Sequence, residues 1–326
     1  MPVLRTRLWR HGSARAVVAA AMLSIGGGAV VACEAQVDES PRAADSASST
    51  QASATPRQSG SPTASGSATP DDALGSLPVL PTRRSEATLA TQINAVERVI
   101  GDRDARSDDV RRAGEFGQLA ARLLASAPAG FRRDVLRRLD GGARVKTRLD
   151  VGAATTLDDM SSPEKTLPDW RIVEPPPPRV LVGHYRFAAR RIGVPWTYLA
   201  AIHLVETRMG RIRGVSSAGA KGPMQFLPTT WDLYGEGGAI HDPRDAILAA
   251  ARLLRANGAP GDMAEAVYHY NPSDDYVDAV TRYAAAIERS TLAYRGYWHW
   301  RVLYKHVRGT YVLDHGYPDV PARLLG

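Results

Sequence analysis

Apolar residues recur along residues 84–160 at helical spacing. Leu89, Ile93, Val96 and Ile100 form one stripe. Phe116, Leu119, Ala120 and Leu123 form a second, and Phe131, Val135, Leu136 and Leu139 a third. A period near 3.6 places each set on one face of a helix, where it serves as core. Gly141-Gly142 reads as the stop of the third helix. The segment is therefore expected to be a small helical domain, with no chemistry assigned to it. Residues 161–178 carry Pro163, Pro168 and Pro175 to Pro178. They read as a stiff linker and a domain boundary.

Helical patterning resumes over residues 179–290. One helix is expected from about Arg179 to Gly193, carrying Tyr185, Phe187 and Ala188. Pro195 suits the first turn of the next, and Gly210 its end. Further helices are expected at Pro243–Asn257, closed by Gly258, at Asp262–Tyr270 and at Asp274–Glu288. No run of alternating strand residues interrupts them, so the fold class is mainly all-α. Residues 291–326 break the pattern with Tyr294, Tyr297, Trp298, Trp300, Tyr304, Tyr311 and Tyr317. That tail reads as helix, extended hairpin or a mixture, with its aromatics either packed on the helices or stacking on a ligand.

The first 82 residues do not read as fold. Arg5, Arg7, Arg10 and Arg15 precede an apolar stretch, Ala16 to Ala32, interrupted by Gly26-Gly27-Gly28. Residues 1–32 thus have the layout of a signal peptide, too short and glycine-broken for a spanning helix. Residues 33–82 are rich in Ser, Ala, Thr and Pro and poor in large apolar groups. They are expected to be a disordered tether whose ends lie about 40 Å apart. Cys33 is the single cysteine of the chain, which excludes an intramolecular disulfide and a cysteine metal cluster. The formal charge is +7, and removing the four signal arginines leaves +3. That balance does not call for nucleic acid, and no phosphate-loop, zinc or RNA-binding spacing is present. His203, His241 and His269 have no metal-ligand spacing either, so no metal or cofactor is expected.

The chemically informative residue is Glu206. It closes the run Tyr198-Leu-Ala-Ala-Ile-His-Leu-Val-Glu206. A carboxyl in such surroundings keeps its proton toward neutral pH and can act as a general acid. The alternative is a helix-end glutamate turned to solvent. Asp242, Asp274 and Asp275 sit at expected helix starts and read as caps or first-turn acids. Asp232 and Glu236 are also outside any comparable apolar run.

Beyond Glu206 lie Ser216-Ser-Ala-Gly-Ala-Lys-Gly222-Pro-Met224-Gln225-Phe and then Tyr268-His-Tyr270-Asn271-Pro. Glutamate, a small-residue loop ending in Met-Gln, and Tyr-Asn, in this order, resemble the lytic murein transglycosylases. Residues 179–290 carry the resemblance. It implies a goose-lysozyme-like helical catalytic domain that cleaves peptidoglycan glycan strands, forming 1,6-anhydromuramoyl ends without water. It implies Glu206 as the catalytic acid and then base. Ser216, Gly222, Met224, Gln225, Tyr270 and Asn271 would bind substrate, with Tyr270 reaching the carboxylate or the sugar. Ser216 could instead form a turn, and Met224 could instead be core. Thr207 departs from the family's serine after the acid. Pro223 and the run ending in Tyr276-Val lean toward the membrane-bound transglycosylase B branch. Val30-Val-Ala-Cys33 resembles the bacterial lipobox, which implies a lipidated Cys33 and an extracytoplasmic, membrane-anchored protein facing the cell wall. A hydrolytic muramidase or chitinase on the same scaffold, and a wall-binding lipoprotein without activity, are the competing readings.

Overall fold

The computed structural model describes residues 81–83 and 85–325. The expected signal peptide, Cys33 and nearly all of the expected tether lie outside the described residues. The described chain is mainly helical.

Four helices open it: α1 (Glu86–Gly101), α2 (Ser107–Ala125), α3 (Ala129–Arg138) and α4 (Gly141–Asp159). The Ser85 hydroxyl caps α1 by accepting from the Thr88 amide. The three sequence stripes meet in one core through Leu89, Ile93, Val96, Phe116, Leu124 and Val135. The glycine pair acts differently from expectation. It follows the end of α3 and opens a fourth helix. The junction is held by the Arg144 guanidinium, which donates to the carbonyls of Arg137 and Leu139. Helix α4 lacks a clean apolar stripe because it buries Thr147 and Asp150 beside Val151 and Ala153.

Those polar positions form a network between elements. Lys146 pairs with Asp150 at 2.7 Å and with Glu97 of α1 at 3.0 Å, while Tyr297 donates to Asp150 at 2.5 Å. Burial outweighs Lys146 and pushes the Glu97 carboxyl upward, whereas the two carboxylates hold the Lys146 ammonium strongly protonated against its own desolvation.

The second group comprises α5 (Pro178–Ile192), α6 (Trp196–Thr207), α7 (Pro228–Tyr234), α8 (Pro243–Ala256), α9 (Met263–Tyr270) and α10 (Asp274–Arg289). Gly193 closes α5 in the left-handed region, as its lack of Cβ allows. Pro195 is the residue before α6, not within its first turn. Asp242 caps α8 through the amides of Arg244 and Asp245, and Asp262 caps α9 through Glu265. Helix α6 is apolar on every side and buried on every side, packed among α5, α8 and α10. The core around it takes in Ala153 of α4, and α4 runs along α10.

The 161–178 segment is tied down on both sides. Its β1 (Arg171–Ile172) pairs antiparallel with β2 (Ile212–Arg213), and Trp170 is buried against Gly214. Glu164 exchanges backbone hydrogen bonds with the tail at Lys305 and Val307. The tail is a mixture: α11 (Ala293–Trp298), then a sheet of β3 (Val302–His306), β4 (Gly309–Leu313) and β5 (Arg323–Leu324), antiparallel in that order. Tyr297 and Trp300 lie within 5.5 Å of Tyr283 in edge-to-face contact and are buried in the main core.

Candidate functional site

Glu206 lies in the last turn of α6 and is 4 % exposed. Its Oε1 accepts a hydrogen bond from the Tyr276 hydroxyl at 2.5 Å. Burial pushes the carboxyl up from 4.5 to about 8, and the Tyr276 bond offsets only part of that rise. The group is therefore mostly protonated at neutral pH. Tyr276 is held in the first turn of α10, where the Ser273 hydroxyl accepts from the Tyr276 amide. Asp274 and Asp275 occupy the same first turn but are exposed, and Asp242 is a helix cap. The rise of Glu206 is thus set by burial, without an acidic neighbour.

Behind the acid the chain turns sharply. Arg208, Met209 and Gly210 are successive left-handed residues, so α6 ends at Thr207, ahead of the expected Gly210. The Thr207 hydroxyl donates to the Pro223 carbonyl at 2.6 Å and accepts from the Gly210 amide at 3.0 Å. Thr207 is thus the tie between the acid-bearing helix and the small-residue loop.

That loop is built from its own polar groups. Ser216 and Ala220 are paired through the Ser216 amide and the Ala220 carbonyl, and the Ser216 hydroxyl accepts from the Ala220 amide. Ser216 is therefore a turn-forming residue. Gly222 has φ +77°, and a Cβ there would lie 2.0 Å from the Ile240 carbonyl oxygen. Its close approach is to protein backbone. Lys221 and Phe226 exchange backbone bonds around Gln225, which itself has φ +49°. Met224 is fully buried and belongs to the core.

Tyr270 closes the other side. Its hydroxyl donates to the Met224 carbonyl at 2.6 Å, so it braces the loop and Tyr276 takes the contact with the carboxyl. The two tyrosine rings are parallel, with centroids 6.5 Å apart. Burial and the nearby Glu206 keep both phenols protonated well past their ordinary range, so both remain donors. Gln225 and Asn271 flank the Tyr270–Met224 bond in sequence. The Gln225 amide nitrogen donates to the Gly222 carbonyl at 2.8 Å, while its Oε1 and the Asn271 Oδ1 are buried acceptors without a donor among the described residues.

No protein-family model matches the chain, and neither the curated proteins nor the solved structures compared with it yield a relative. The site's chemistry therefore stands on its own geometry.

The structure joins Tyr270 to Met224 and Glu206 to Tyr276, a residue the sequence pattern did not assign to the site. Its signal was present. Tyr276, Ala279, Val280 and Tyr283 form the buried stripe of α10, and Ser273 caps the helix three residues earlier. Helical periodicity marks Tyr276 as inward, though its partner is 70 residues away. His203 is a buried neutral imidazole: burial lowers it to about 3, and Nδ1 meets the Tyr185 hydroxyl at 2.7 Å. Among the described residues no cluster of acidic, histidine or cysteine side chains could hold a metal ion.

Proposed function

We propose that this protein is a lytic transglycosylase of peptidoglycan, with a lysozyme-like arrangement of helices around one acid. The observation that carries the reading is the solitary buried Glu206, held neutral to about pH 8 and oriented by Tyr276. Cleavage of a glycosidic bond needs a proton on the departing oxygen and relief of the positive charge left at C1. A protonated Glu206 supplies the proton to the oxygen joining N-acetylmuramic acid to N-acetylglucosamine. The resulting carboxylate, still hydrogen-bonded by Tyr276, then accepts the proton of the muramoyl C6 hydroxyl as that oxygen bonds to C1. The product is a 1,6-anhydro ring, and the carboxyl is restored to its starting state.

An inverting hydrolase would need a second carboxylate roughly 6.5–9.5 Å away to activate water. Asp242 is engaged as a helix cap, Glu236 pairs with Arg252 at 2.6 Å, and Asp232, Asp274 and Asp275 are exposed, which favours internal attack by C6. The unsatisfied acceptors of Gln225 and Asn271 each cost about 1–3 kcal/mol, and donors from an N-acetyl or hydroxyl group would relieve that cost. The lipobox-like sequence ending at Cys33 supports a location on the outer side of a membrane, with the wall as substrate.

Digestion of purified peptidoglycan followed by mass spectrometry tests the proposal. Anhydro ends one water lighter than hydrolytic products, absent with Glu206→Gln, are the expected result. Ordinary reducing ends would establish a hydrolase. Retained wall binding with no turnover by the wild-type chain would establish a binding protein.

A further inference from the structure

The loop at the end of α6 sends Arg208 to the side of the molecule where α2, α4 and the C-terminal sheet meet. Two adjoining cavities lie there. The outer one has a volume of about 490 Å³ and the inner one about 30 Å³, and both are walled in part by Arg122, Ala154, Asp158 and Lys305. Arg208 lines the inner cavity with Tyr283 and Trp300. Leu119, Leu123 and Leu325 give the outer one an apolar wall. The outer volume is within the usual range for small-molecule sites, and the inner one holds a single small group.

The charges around this space are unbalanced. Arg208 is 8 % exposed, and among the described residues no carboxylate pairs with it. One guanidinium nitrogen donates to the Leu204 carbonyl at 2.6 Å. That carbonyl end of α6 offers partial negative charge only. A buried cation is ordinarily matched by a full charge. Arg122 lines both cavities and likewise forms no ion pair or side-chain hydrogen bond with the described residues. Arg83, at the outer rim, is committed to Ser126. Lys305 is matched by Asp158 at 3.1 Å and by the carbonyls of Asp158 and Ser161. Asp159 is the remaining acid, and it is exposed at the outer wall. Among the described residues four cations thus face two carboxylates, and the pair left unmatched by them, Arg122 and Arg208, meets at the inner cavity.

We propose that this junction binds a ligand with one carboxylate or phosphate group on an apolar stem, the anion lodged between Arg122 and Arg208 and the stem lying in the outer cavity. Two guanidinium forks suit a planar carboxylate or a phosphate. The leucine wall suits a chain or ring better than a second charged group. The site is separate from the Glu206 pocket and does not depend on the activity proposed above.

Calorimetric titration of the purified full-length chain with octanoate, octyl phosphate and inorganic phosphate tests it. At least one of the two octyl compounds should bind saturably with unit stoichiometry, and which of them binds more tightly identifies the preferred headgroup. Inorganic phosphate should bind at least tenfold more weakly than octyl phosphate. Arg122→Gln removes a side chain with no ion-pair or side-chain hydrogen-bond partner among the described residues, so it should fold normally and weaken the tighter probe at least tenfold. Arg190→Gln, at an exposed position on α5, should leave binding unchanged. Arg208→Met should abolish binding, with its folding checked by a thermal melt. Absence of saturable binding by both octyl compounds, or affinity unaltered by Arg122→Gln, would overturn the proposal. Equal affinity for inorganic and octyl phosphate would remove the apolar stem from it.

Discussion

Burial of Glu206 makes stability depend on pH in a defined direction. Between about 4.5 and 8 the folded chain holds a proton at this carboxyl that the unfolded chain has released. The favourable contribution is complete below 4.5 and is lost as pH rises toward 8. At about 1.4 kcal/mol per pH unit, the full span corresponds to about 5 kcal/mol. Glu206→Gln lacks this dependence, so its melting temperature should gain on that of the wild type as pH rises from 5 to 8. Parallel melting curves for the two proteins across that range would show the carboxyl to be ionised throughout. A second single-residue test concerns Gly222. Alanine there would combine a left-handed φ with a Cβ 2.0 Å from a carbonyl oxygen. Gly222→Ala should therefore cost about 3 kcal/mol or more, read by denaturant unfolding. The sequence disclosed the acid because a lone carboxylate in an apolar run has few outcomes. It disclosed that Gly222 was special, but not that the crowding partner would be Ile240, since contacts distant along the chain leave no periodic trace.

At the level of elements, the site is a junction of three helix ends and one loop. The C-terminus of α6 presents Glu206, the N-terminus of α10 presents Tyr276, and the end of α9 holds the loop through Tyr270. Helix starts and caps were legible: Asp242 and Asp262 behave as their residue types require. The end of α6 was less so, because Arg208 and Met209 adopt left-handed conformations usually left to glycine. The tie through Thr207 carries a direct consequence. Thr207→Val would leave the Pro223 carbonyl and the Gly210 amide without their partner, costing about 2–4 kcal/mol, while Thr207→Ser should retain most of the stability. The Tyr276 contact carries another. The bond lowers the Glu206 pKa, so Tyr276→Phe should move the alkaline limb of kcat/KM to higher pH and reduce the rate. A limb that moved to lower pH would show that Tyr276 does not favour the carboxylate.

Across the whole molecule, the mainly helical character followed from periodicity, because each apolar stripe had a core to enter. The way the stripes combine did not. Helix α4 was hidden by its buried Thr147 and Asp150, which lower its apolar contrast while joining the two cores. The proline-rich segment looked like a spacer, yet it supplies a strand and a buried tryptophan. The aromatic tail shows the same point most clearly. Tyr297 and Trp300 complete the core that surrounds α6, and Tyr297 donates to Asp150 within the Lys146 network. Trp298 lies nearer the surface, with the Arg211 guanidinium 5.2 Å from its ring centroid and its indole N–H donating to the Pro176 carbonyl. Ending the chain after Ser290 would expose the faces of α2, α4 and α10 and leave Asp150 with one partner fewer. That truncation should abolish cooperative thermal unfolding rather than leave a folded domain with weaker glycan binding. Tyr297→Phe keeps the ring and removes only the hydroxyl, so it should cost about 1–3 kcal/mol with sacculus binding unchanged. Weaker sacculus binding by Tyr297→Phe at unaltered melting temperature would instead place the tail at the glycan.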